Sequence, residues 1–145
     1  MFTCKKFICD TSARAVLLLA SALFLQVSFA QEPGIAKPQV VINEVISGMP
    51  TSEKQAIRVL TANLKPGDKT PSHTHRFPVT LYILEGAFTL EMEGRDPITV
   101  KAGQSFVEPP NVKMTGYNHS ADADLKIVIF YVSDLNTPFL DPVTK

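Results

Sequence analysis

Tryptophan is absent from the 145 residues, and cysteine occurs only twice, at Cys4 and Cys9. Charge of one sign is not in excess either, with 14 Lys+Arg against 14 Asp+Glu. Long hydrophobic runs are missing apart from residues 15–25, which are apolar except for Ser21. Each absence excludes something. That one run falls short of the roughly 20 residues a transmembrane helix needs. It follows Lys5, Lys6 and Arg14 and precedes Ser28, Phe29 and Ala30, where small residues occupy the two positions a signal peptidase reads. The pattern is that of a secretory leader over residues 1–30, cut before Gln31. The expected compartment is the periplasm or the exterior, with no membrane attachment after cleavage. Removing the leader leaves 11 basic and 13 acidic residues, so a basic nucleic-acid surface is excluded.

Both cysteines fall in the leader, so residues 31–145 contain none. A disulfide framework, a thiolate metal site and a cysteine nucleophile are thereby ruled out, although exported compartments permit disulfides. The fold must be held by core burial, which a chain of this length can supply. The expected organisation is a leader at 1–30, an extension at 31–39, one domain at 40–134 and a tail at 135–145.

What is present is punctuation. All 7 glycines and 11 prolines lie after the leader, spread along the chain. Between them run short segments rich in branched and aromatic residues: 40–46, 55–64, 80–84, 87–92, 98–101, 105–108, 112–117 and 125–133. Their lengths and composition suit strands. Ser52 and Glu53 imitate a helix start, but Ile57, Val59 and Leu60 favour a strand there. Pro66-Gly67-Asp68 marks a turn. Glu85-Gly86 and residues 93–96 read as hairpin connections, and Ala102-Gly103 and residues 109–111 close two more. Many short strands at close spacing predict an all-β sandwich or barrel. Residues 125–132 are apolar on both faces apart from Lys126, so one face should meet the interior and the other a second layer or a partner subunit.

The chemistry centres on His73 and His75. Residues two apart on a strand share a face, so the two imidazoles would converge, which is one way to start a metal site. The plain alternative is a pair of surface histidines in a loop after Pro71-Ser72. Glu91 and Glu93 alternate with Leu90 and Met92 as an exposed strand face would. No phosphate-cradling glycine loop and no GxSxG elbow occurs.

Lys65-Pro66-Gly67, His73-Thr74-His75 and Tyr82-Ile83-Leu84-Glu85-Gly86 together resemble the first motif of the cupin superfamily. Gly103, Pro109 and Asn118 have the spacing of the second. The resemblance implies a jelly-roll barrel, two antiparallel sheets rolled around a central pocket, and a homodimer. Asn118 matches a place that braces the barrel. Metal-holding cupins supply two histidines and a glutamate from the first motif and one histidine from the second. His73 and His75 fill two of these places, whereas Val79 and Met114 stand where the glutamate and the last histidine would be.

Three readings follow. The site is a degenerate pocket for an organic ligand or for nothing. It takes a divalent transition metal, with water, substrate or a nearby carboxylate completing the sphere, as in a dioxygenase or isomerase. Or it holds copper with the Met114 thioether as third donor. Glu108 is the rescue candidate for a missing ligand. If Val79 and Met114 face the pocket, alternation brings Leu81 and Ile83 in as well, making an apolar lining with two histidines at one end. Imidazoles desolvated there without an anion should be neutral at pH 7. Arg76 could reach a ligand at the mouth. The leading expectation is an exported small-molecule binding or accessory module, and the alternative is a metal-dependent enzyme using His73 and His75.

Overall fold

The computed structural model describes residues 34–144. The leader and both cysteines lie outside the described residues. The described residues from Lys37 onward form one compact unit, which carries all the regular structure described below.

Nine strands form it: β1 Gln55–Leu64, β2 His73–Thr74, β3 Val79–Glu85, β4 Ala87–Met92, β5 Ile98–Lys101, β6 Ser105–Glu108, β7 Met114–Tyr117, β8 Leu125–Asp134 and β9 Asp141–Pro142. They make two antiparallel sheets, ordered β1-β8-β3-β6 and β5-β4-β7-β2-β9. Between these strands the chain changes sheet at every connection except β4–β5, which is a hairpin. The arrangement is a jelly-roll double-stranded β-helix. No helix among the described residues is long and apolar enough to cross a membrane.

Alternation does the building. On β3, Val79, Leu81 and Ile83 are buried while their neighbours face outward. On β8, Leu125, Ile127, Tyr131 and Ser133 point in, and Phe130 points out. Leu64, Phe88, Leu90, Met92, Val100 and Met114 complete one core between the sheets. Gly116 lets the Phe88 ring lie against its backbone, where a Cβ would collide with the ring edge.

Three expectations need correction. Ala102-Gly103 and residues 109–111 do not close hairpins, because they join β5 to β6 and β6 to β7 across the two sheets. Glu85-Gly86 is not a hairpin either, because β3 and β4 belong to different sheets. It is a corner: Gly86 has φ +79°, and a Cβ there would stand 2.7 Å from the Asp124 carbonyl. Residues 40–46 form no strand, despite a composition that suits one. They join no ladder, and Val40 and Val45 remain exposed, so strand propensity has nothing to act on. Ser52 and Glu53, which resemble a helix start, precede strand β1, which the branched residues after them favoured.

Candidate functional site

β2 is only two residues long, yet it lies between β7 and β9 and fixes the histidine pair. His73 is opposite Met114 on one side and Pro142 on the other. Both imidazoles turn inward and are buried, His73 at 5% and His75 at 1% exposure. Their rings meet edge to face at 4.7 Å, with Nε2 of one 3.0 Å from Nε2 of the other. Glu108 brings a carboxylate from β6, with Oε2 3.3 Å from His75 Nε2 and the residue 5% exposed.

The outer nitrogens fix the tautomers. His73 Nδ1 donates to the Pro71 carbonyl at 2.7 Å, and His75 Nδ1 donates to the Phe139 carbonyl at 2.6 Å. A carbonyl only accepts, so both Nδ1 atoms carry hydrogen. In two neutral rings the facing Nε2 atoms would then be bare lone pairs at 3.0 Å. A proton shared within the His73–His75–Glu108 set, or a bound cation, relieves that contact. Burial pulls the His73 pKa below the usual range, and the neighbouring His75 adds to this; the Pro71 carbonyl and Glu108 oppose it.

The cluster closes one end of a cavity of about 130 Å³. Its other walls include Leu64, Leu81, Phe88, Ile127 and Ile129, with Phe139 and Leu140 from the C-terminal segment. That segment is tied down beside the site. β9 pairs with β2, Val143 N donates to Ser72 O at 2.9 Å, and Arg76 holds Asp141 through contacts of 2.8 and 3.0 Å. The guanidinium's hydrogen bond keeps the Asp141 carboxyl below its usual pKa.

Of the six residues expected to line the pocket, His73, His75 and Leu81 do so. Val79, Ile83 and Met114 are buried, at 0%, 0% and 1% exposure, but none of them lines the cavity. The reason lies in the packing. Ile83 and Met114 are absorbed by the hydrophobic core, and Val79 is covered by its neighbours on the sheet. Glu108, the rescue candidate, does line it. Glu108 is the direct cross-strand partner of Val79 in the β3–β6 ladder, so the carboxylate missing from β3 stands on the adjacent strand. His119 is exposed and stacks on Tyr117 at 5.0 Å, away from the interior. Asn118 is structural: its Nδ2 donates to Leu64 O and Ala123 O. Arg76 is engaged with Asp141 at the surface.

Sequence reasoning passed over Tyr131. It is fully buried on β8, its ring 6.1 Å from His75 and 5.6 Å from Phe139. Burial raises its phenol pKa, and the nearby Phe77 backbone and Arg58 oppose the rise. The hydroxyl nonetheless lacks a well-formed hydrogen bond among the described residues. The inward phase of β8, with Leu125 and Ile127 buried, is the sequence signal that could have found it.

Fold and site together define a double-stranded β-helix with an interior polar cluster. Residues 60–131 match the family model described as Cupin domain, and the chain is a small cupin-domain protein. Solved structures agree on the fold. A cupin-like protein from Thermotoga maritima is 20% identical, with 61% of this chain and 65% of that one covered at a TM-score of 0.52. An uncharacterised Klebsiella pneumoniae protein with a double-stranded β-helix domain is 16% identical, covering 72% and 100%, at 0.51. The DMSP lyase DddQ from Ruegeria pomeroyi is 21% identical, covering 57% and 41%, at 0.50. The chain thus spans less than half of the lyase. No curated protein matches the sequence.

Proposed function

We propose that this chain is an exported single-domain cupin whose barrel interior binds a small molecule, serving as a binding or accessory module. The observation that carries the reading is the convergence of His73, His75 and Glu108 at one end of an otherwise apolar cavity. A few polar groups on an apolar lining are what small-molecule sites have in common. Export rests on the leader pattern of residues 1–30 and places the protein in the periplasm or outside the cell. A homodimer is part of the same proposal. The outer face of β1 and β8 leaves Ile57, Val59 and Phe130 at 77%, 61% and 45% exposure, and an uncovered apolar face of that kind favours association.

A second reading, a metal-dependent enzyme of the dioxygenase or isomerase type, is favoured by the same donor set. Two imidazoles and a carboxylate suit a divalent transition metal. Donors bound at about 2.1 Å around one ion stand roughly 3.0–3.4 Å apart, and the separations here are 3.0 and 3.3 Å. When bound, such an ion would polarise a substrate oxygen as a Lewis acid. Against this, no group of three or more His, Cys, Asp or Glu among the described residues is already arranged to hold a metal ion. Copper has less support, because Met114 packs in the core and not at the cavity.

Elemental analysis of protein purified without chelators separates the readings. The binding-module reading expects substoichiometric metal that does not change in His73→Ala or Glu108→Gln. Stoichiometric metal lost in both variants would replace it with the metal-dependent reading. Mass spectrometry of the exported protein should give a chain beginning at Gln31.

A further inference from the structure

The cavity restricts what the proposed site can take, and the following inference rests on that binding-module reading. At about 130 Å³ the free space is small. Apolar cavities of about 150 Å³ hold one benzene-sized molecule, so the interior suits about six non-hydrogen atoms. Polar atoms occur mainly at one end, where the imidazoles and Glu108 stand. No Lys or Arg is among the lining residues. With one proton shared among His73, His75 and Glu108 the set carries no net positive charge, so an anionic head would stand beside the buried carboxylate with nothing to balance it, which is strongly unfavourable. A hydroxyl or amide both donates and accepts, so it can satisfy a ring nitrogen and the carboxylate together.

The C-terminal segment bounds the polar end, where the Phe139 ring lies 4.9 Å from the His75 ring. Phe139 and Leu140 form part of the wall, and the segment is held by the β9–β2 pairing. The Phe139 carbonyl also orients His75. One residue thus shapes both the polar end and the size of the space.

We propose that the interior site takes a compact neutral molecule, an apolar body with a single hydroxyl or amide head, and that the Phe139 side chain, which lines the cavity beside His75, limits its size.

The test uses the purified full-length mature chain and straight-chain primary alcohols from ethanol to octanol, with carboxylates of matching length, by calorimetry and ligand-observed NMR. Affinity should rise to a chain of about five carbons and then fall. Carboxylates should bind at least about tenfold more weakly at neutral pH. His73→Ala should abolish binding. Phe139→Ala should shift the cutoff by about two carbons or more, as the deleted ring leaves space. Phe139→Leu, a milder change, should shift it less and guards against loss of fold. Carboxylates binding as well as alcohols, octanol binding like pentanol, or a cutoff unmoved in both folded Phe139 variants would overturn the proposal. Binding of a larger or charged probe that still depends on His73 would sink this ligand class and leave the binding site standing. Failure of every probe would sink both.

Discussion

The two ends of the barrel interior are built on opposite terms. Around Ile83, Leu90 and Leu125 the side chains are fully buried and join one continuous cluster. Around His73 and His75 a cavity of about 130 Å³ is left, and three buried polar side chains meet. Protein interiors are otherwise packed to crystal-like density. One end is thus optimised for holding the sheets together. The other gives up packing to keep polar groups in contact with free space, as sites do when function and stability compete.

The largest effect that would sharpen this contrast is at the filled end. Leu90→Ala should destabilise the fold by about 2–5 kcal/mol, because a fully buried side chain is lost and a cavity remains. Denaturant melts followed by circular dichroism will read it. At the open end the combined variant His73→Leu, His75→Leu and Glu108→Leu should behave in the opposite way. Replacing a whole buried polar group by apolar side chains is often neutral or stabilising by about 1–4 kcal/mol. A loss of stability matching that of Leu90→Ala would break the comparison.

A smaller effect concerns pH. The folded-state pKa of His73 lies below its unfolded value, so the unfolded chain binds more protons between the two. Stability should therefore rise with pH across that window and level off above an unfolded His pKa of about 6.5. Melts from pH 5 to 8 should show this rise in the wild type and a shallower one in His73→Asn. The smallest effect is at the surface. Arg76→Ala should leave the melting temperature almost unchanged, since exposed ion pairs contribute little. It should still speed amide exchange at Val143, whose N–H is tied to Ser72 beside the lost contact.

The fold was legible because its signals are local. Period-two burial along β3 and β8 follows directly from residue order, and the cupin motifs gave the jelly roll. The histidines were legible for the same reason, being two apart in the chain, His73 on strand β2 and His75 just after its last residue. Glu108 was harder, because its place beside His75 depends on the β3–β6 register and not on sequence distance. Val79 illustrates the converse: inward phase was predicted correctly, but only packing decides whether an inward side chain borders free space. The β3–β4 corner was misread because a Glu-Gly pair serves both a hairpin and a change of sheet, and the partner strands lie elsewhere in the chain.

The docking of β9 on β2 also makes the site depend on a distant part of the chain. His75 receives its carbonyl acceptor from Phe139, which lies 64 residues later in the chain. The orientation of the imidazole pair therefore depends on the docking of a segment far along the chain, and the chamber is complete only when that segment is in place. A stop codon just after β8 would yield a rolled sandwich with an unfinished interior.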